Sequence, residues 1–157
     1  MARRPSPYSA LAFSLVVGLL LSVLPLPPLL QDWRPEWLKL VVIFWVMNAP
    51  MIAGIWLAVF SGLLLDVLLA VPLGLNASSL VFIVYVARMT KRWSGVFSIR
   101  QTSLLVCLLL LGGRLLNHVE LALAGDAPEG LSFYLPALSS ALIWPTVMLS
   151  LRRWTQR

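Results

Sequence analysis

Five side chains of chemically capable type sit in mostly apolar surroundings: Ser61, Asp66, Cys107, Arg114 and His118. His118 is the single histidine, which excludes paired-histidine zinc motifs of the H-E-x-x-H kind. Asp66 is the only aspartate deep in an apolar run, so a two-aspartate intramembrane protease lacks its second carboxylate. Ser61-Gly62 with His118 outlines a serine–histidine dyad, but the preceding Ala58-Val59-Phe60 form no nucleophile motif; the alternative is a small serine at a helix contact. No Walker loop is present, and the lone Cys107 can form neither an intrachain disulfide nor a cysteine zinc site. The residues therefore predict no catalytic group, no metal site and no cofactor.

The elements that must position these groups follow from composition. The chain has 157 residues, 60% hydrophobic and 11% charged. Soluble domains carry roughly 25% charged residues. Runs free of Asp, Glu, Lys and Arg cover Pro5–Gln31, Leu40–Leu65, Val67–Ala87, Gln101–Gly113 and Gly130–Leu151. About 20 apolar residues span a bilayer as a helix. The expected fold is therefore all-α: one integral membrane domain with about six transmembrane helices, at about 8–24, 37–48, 51–69, 76–89, 101–123 and 131–151. Pro25, Pro27 and Pro28 end the first helix, because proline cannot continue the hydrogen-bond ladder. Asn48-Ala49-Pro50 and Val71 to Asn76 divide the long middle stretch, and Pro145 predicts a kink in the last helix.

Charge sets orientation. Nine of the twelve basic residues fall at Arg3, Arg4, Arg88, Lys91, Arg92, Arg100, Arg152, Arg153 and Arg157. If these face the cytoplasm, both termini lie inside, in keeping with the positive-inside rule, and no acidic residue is cytoplasmic. Arg34 and Lys39 then fall outside, with Trp33 and Trp37 at the interface. The clustering at helix ends argues against nucleic-acid binding despite the net charge of +6. The stretch from Tyr8 to Leu30 is too long for a cleaved signal and reads as a retained helix.

Within such a bundle an unpaired charge near the bilayer centre costs about 2.5–3.5 kcal/mol on insertion scales. Asp66 and Arg114 therefore need partners: each other, broken backbone, a pocket, or a relay. Arg114, Asn117 and His118 share one helix face at i, i+3 and i+4. In the first helix Ala10, Ser14, Gly18 and Ser22 form a small-residue ladder that suits close helix approach, either within the chain or with another protein's helix.

The stretch from Arg34-Pro35-Glu36-Trp37 through Phe44-Trp45-Val46, Pro50, Gly54, Gly62-Leu63-Leu64-Leu65-Asp66 and Pro72-Leu73-Gly74 resembles the MreD rod-shape-determining proteins. Glu36 and Phe44 are mild variants of that pattern. The resemblance implies a non-catalytic inner-membrane scaffold of the bacterial elongation machinery. It would bind MreC directly and stand with MreB, RodA and RodA's transpeptidase partner in the wider complex, supporting peptidoglycan synthesis. It also implies a likeness to the six-helix membrane subunits of energy-coupling-factor transporters, hence an alternative reading as a substrate-binding transporter subunit; a homodimer is a further option. Asp66, Arg114, Gly62, Pro72 and Gly74 are the structural candidates, with Asp66 held by backbone donors or by Arg114. Ser14 and Gly18, or Trp45 and Gly54, are the candidate docking surfaces.

Overall fold

The computed structural model describes residues 7–91 and 99–155. Arg3, Arg4, Arg92 and Arg157 of the basic clusters lie outside the described residues. Six α-helices follow one another: α1 (Pro7–Val23), α2 (Trp37–Asn48), α3 (Ile55–Leu69), α4 (Leu75–Lys91), α5 (Ile99–Ala124) and α6 (Leu135–Thr155). Short 3-10 turns at Pro28–Trp33 and Leu131–Tyr134 lead into α2 and α6. No strand occurs among the described residues. Among the described residues, two segments, Arg100–Ala124 and Leu131–Arg153, are long and apolar enough to cross a membrane, and Tyr8–Val23, Ile55–Leu69 and Leu75–Thr90 are shorter apolar helices.

Large apolar side chains face outward as well as into the core. Phe13, Trp56, Phe60, Leu64, Val67, Leu104 and Leu142 all lie exposed on the outside. So much contiguous apolar surface is a liability in water and the natural surface against lipid. The architecture is that of an all-helical, polytopic membrane protein.

The core is α2. Nine consecutive residues, Leu38 to Val46, are buried, so this helix is enclosed on every side. It packs against α1, α4 and α6. At 12 residues it rises only about 18 Å, short of the ~30 Å hydrocarbon layer. Enclosure by longer neighbours removes the need for it to match the bilayer.

Small residues set the closest helix approaches. A Cβ on Gly62 of α3 would come within 2.8 Å of the Ala77 backbone nitrogen of α4. At Gly112 and Gly113 of α5 a Cβ would meet Phe82 at 2.9 Å and Ile83 at 3.0 Å on α4. Three element bounds differ by four residues from those read in the sequence. Met51 to Gly54 form a turn, closed by Ile52 N and Ala53 N donating to Ala49 O, so α3 begins at Ile55. The segment 131–134 is a 3-10 turn, and α6 begins at Leu135, one residue before Pro136, because proline suits a helix's first turn. Pro145 lies inside α6, which runs on to Thr155.

Candidate functional site

The polar groups converge at the end of the bundle that carries the α1–α2, α3–α4 and α5–α6 connections. Two arrangements stand there side by side.

The first is a turn clasped by Asp66. The carboxylate sits in the last turn of α3 and is fully buried. Its Oδ2 accepts Gly74 N at 2.9 Å; its Oδ1 accepts Asn76 N at 2.8 Å and Asn76 Nδ2 at 2.9 Å. Asn76 is the second residue of α4, so a side chain of one helix satisfies orphan donors at the start of the next. The negative charge also faces the positive end of the α4 dipole. The chain reaches this geometry through two left-handed residues, Ala70 (φ 51°) and Gly74 (φ 102°). Val71 N donates back to Asp66 O at 3.1 Å, closing α3. Pro72 is exposed on the turn and its carbonyl accepts Leu75 N at 3.2 Å.

The second is an ion cluster around Glu36. Glu36 precedes α2, and its backbone N–H donates to Ser140 Oγ of α6 at 2.7 Å. Its Oε1 lies 3.2 Å from Lys39 Nζ and 2.5 Å from Arg114 Nε. Burial alone would raise the Glu36 carboxyl's pKa; the cations of Lys39 and Arg114 outweigh it and hold it below the usual carboxylate range. Burial lowers the Arg34 guanidinium from its usual value. The Arg114 guanidinium also stands over the Phe133 ring, 5.0 Å from its centre.

This pairing corrects the sequence reading, which offered Arg114 as a possible partner for Asp66 and counted Lys39, at the start of the second helix, only among the charges of the outer side. Arg114 turns to Glu36 instead, while three donors of the α3–α4 turn occupy Asp66. Lys39 is buried because it follows Glu36 by three residues, on the same face of the enclosed α2. Glu36 and Lys39 were the functional-site residues missed. The available signal was an acid–base pair at i, i+3 opening a run apolar on all faces.

A cavity of about 360 Å³ opens over the cluster. Its charged lining is Asp32, Arg34, Glu36, Lys39, Arg114 and Glu129, with Phe133, Leu65 and Leu69 among the apolar walls.

Of the remaining Arg114 face, Asn117, with its amide nitrogen turned toward the carbonyls, donates to Gly113 O at 3.2 Å and Leu75 O at 2.8 Å. His118 stacks on Tyr134 with ring centres 6.0 Å apart and meets Phe133 edge-on at 5.8 Å. Ser61 Oγ donates to Leu57 O at 2.6 Å within its own helix. Neither residue hydrogen-bonds the other, and the outlined serine–histidine dyad is not assembled.

The small-residue ladder of α1 packs within the chain, against α2, while Ser14 and Gly18 also border an outer groove. Ala10, Ser14 and Ser22 are buried. Ser14 Oγ accepts Trp45 Nε1 at 2.7 Å and Ser22 Oγ accepts Leu38 N at 3.3 Å. A Cβ on Gly18 would meet Val41 Cγ2 at 3.3 Å and Leu38 Cα at 3.4 Å. The partner of the ladder is α2, and Trp45 is the buried counterpart rather than a second outer surface. Gly54 has nothing within 4 Å of where a Cβ would stand, so no close helix approach requires it.

A shallow apolar groove of about 410 Å³ lies between α1 and α6 over α2. Phe13, Val17, Leu21, Thr146, Val147 and Ser150 form its flanks, with Ser14, Gly18 and Val41 at its floor.

Comparison with known proteins matches residues 3–154 to the family model described as rod shape-determining protein MreD. Among curated proteins, the rod shape-determining protein MreD of Haemophilus influenzae is 30% identical over 138 residues, covering 88% of this chain and 85% of that protein. No solved structure matches the chain.

Proposed function

Because the chain belongs to the MreD family of rod shape-determining proteins, we propose that it works as a non-catalytic scaffold that holds MreC inside the membrane. Six crossings place both termini in the cytoplasm of an inner membrane and the Glu36 and Asp66 clusters near the periplasmic surface. Through MreC the scaffold joins MreB filaments to RodA and its transpeptidase partner and supports lateral peptidoglycan synthesis.

The observation that carries the docking assignment is the groove between α1 and α6. Lipid tails are as apolar as leucine, so helix association in a bilayer relies on close packing and a few polar contacts. The groove offers both: a floor of Ser14 and Gly18, and the hydroxyls of Thr146 and Ser150 on one flank. The single helix of bitopic MreC is its occupant.

Val17→Trp and Ser150→Trp fill the groove from its two flanks. Each should abolish copurification of MreC in mild detergent while the protein still inserts and keeps its thermal stability. Retention of MreC by both variants, with loss on changing residues 31–37 or 125–130, would move the contact to the outer surface. Inside–outside reporters fused at Pro128 and at the carboxyl terminus should read outside and inside; a periplasmic carboxyl terminus would overturn the topology. The polar cavity favours a second reading, a substrate-binding transporter subunit. That reading requires copurification with an ATPase module, whereas a scaffold copurifies with MreC.

A further inference from the structure

Among the described residues, three polar side-chain atoms on residues that line the cavity are buried without a hydrogen bond: Glu36 Oε2, Arg34 Nη2 and Arg114 Nε, of which Arg114 Nε still forms an ion pair with Glu36 Oε1. Lys39 and Arg114 both face Glu36 Oε1. The other carboxylate oxygen, Oε2, is buried without a partner, on a side chain only 8% exposed. Arg34 Nη2 is likewise buried without an acceptor. Both residues line the cavity. Native proteins pair nearly all buried polar atoms, and one left unpaired carries its full desolvation penalty.

Glu36 Oε2 and Arg34 Nη2 have opposite character. Glu36 Oε2 requires a donor and Arg34 Nη2 requires an acceptor. A simple anion would suit Arg34 and be repelled by Glu36; a simple cation would meet the reverse. The lining repeats this balance, with Asp32, Glu36 and Glu129 against Arg34, Lys39 and Arg114. A field that is locally strong and neutral in sum favours a molecule with both signs. The volume of about 360 Å³ falls in the range of small-molecule sites, roughly 300–1,000 Å³. Exposed Trp33 and half-buried Trp37 flank this end of the bundle, a position tryptophan favours at a membrane–water interface.

We propose that this cavity binds a zwitterionic group, its ammonium on Glu36 Oε2 and its phosphate or carboxylate on Arg34. The group can belong to a phospholipid head at the interface or to a free amino-acid-like solute. The assignment stands independently of the docking of MreC, since the groove and the cavity share none of the residues that bear charge.

The test uses the full chain in detergent, with bound molecules counted by native mass spectrometry. The probes are phosphatidylethanolamine, phosphatidylglycerol and O-phosphoethanolamine. Phosphatidylethanolamine should bind saturably at one site and phosphatidylglycerol, which lacks the ammonium, should not. Arg34→Gln should weaken that binding about tenfold or more, the worth of a charge-assisted hydrogen bond. Asp126→Asn, on the same end but outside the cavity, should leave it unchanged. If O-phosphoethanolamine binds as tightly as the lipid and is equally sensitive to Arg34→Gln, the source is a soluble solute. Glu36→Gln leaves Lys39 and Arg114 without their carboxylate and can unfold the protein, so the Arg34 variant decides. Equal binding of phosphatidylglycerol, binding of phosphatidylethanolamine unaffected by Arg34→Gln, or no saturable zwitterion binding would each overturn the proposal.

Discussion

Replacing Asp66 by leucine should separate a structural carboxylate from a charge-dependent one. In the native protein three donors converge on Asp66: Gly74 N, Asn76 N and Asn76 Nδ2. Leucine removes every acceptor and leaves all three without a partner at a fully buried position. An unsatisfied buried donor costs about 1–3 kcal/mol, and the half-buried turn lets water recover part of that, so Asp66→Leu should cost about 3–6 kcal/mol. Asparagine keeps one oxygen where Oδ1 stands, preserving both bonds to Asn76, and turns an NH₂ toward Gly74 N. One bond and the favourable charge at the start of α4 are lost, about 1–2 kcal/mol together. The difference of roughly 2–4 kcal/mol corresponds to about 4–16 °C in Tm at 2–4 °C per kcal/mol for a chain of this size. Tryptophan fluorescence during thermal unfolding in detergent measures it, alongside rescue of rod shape at native expression. The order of stability should be wild type, Asn, Leu, with rescue following the same order. A leucine variant as stable as wild type would refute the clasp. Asparagine and leucine variants equally inactive despite normal abundance would assign Asp66 a role that needs its charge.

Gly62→Ala should destabilise the α3–α4 pair by about 1–3 kcal/mol, because the added methyl meets the immovable Ala77 backbone. Gly18→Ala, whose nearest neighbour would be Val41 Cγ2 at 3.3 Å, should cost less, and a reversed order of the two melting temperatures would contradict the packing. Trp45→Phe removes the bond to Ser14, and a double-mutant cycle with Ser14→Ala should return a coupling of about 1 kcal/mol in Tm-derived stability; zero coupling would mean that the bond contributes nothing net. The depressed Glu36 carboxyl contributes stability that is fully present above its unfolded pKa and is lost as pH falls through its lower folded value. Wild-type Tm should therefore fall across that acidic window, and the fall should be smaller in any folded Glu36→Gln protein.

Sequence alone determined the class of this protein and the number of its helices among the described residues. Both follow from one-dimensional quantities: charge-free run length, prolines that halt a helix, and the scarcity of charge. The need to satisfy a carboxylate in an apolar run likewise singled out Asp66, and Pro72-Leu73-Gly74 already marked the break beside it. The family resemblance was legible over Arg34 to Ala77, where the pattern of Trp, Pro and Gly is unusual.

Which charge met which was decided only in three dimensions. Arg114 could equally answer Asp66 or Glu36 by its position along the chain, and the fold brings it to Glu36, 2.5 Å away. The enclosure of α2 was equally hidden, as was the burial of Lys39 with it. In a soluble helix the polar face marks the outside. In lipid the solvent is as apolar as the core, so hydropathy carries no signal for which face of an apolar helix looks inward. The ladder of Ala10, Ser14, Gly18 and Ser22 announced that something packs closely there; that the something is α2, through Trp45 and Leu38, depended on the tertiary structure.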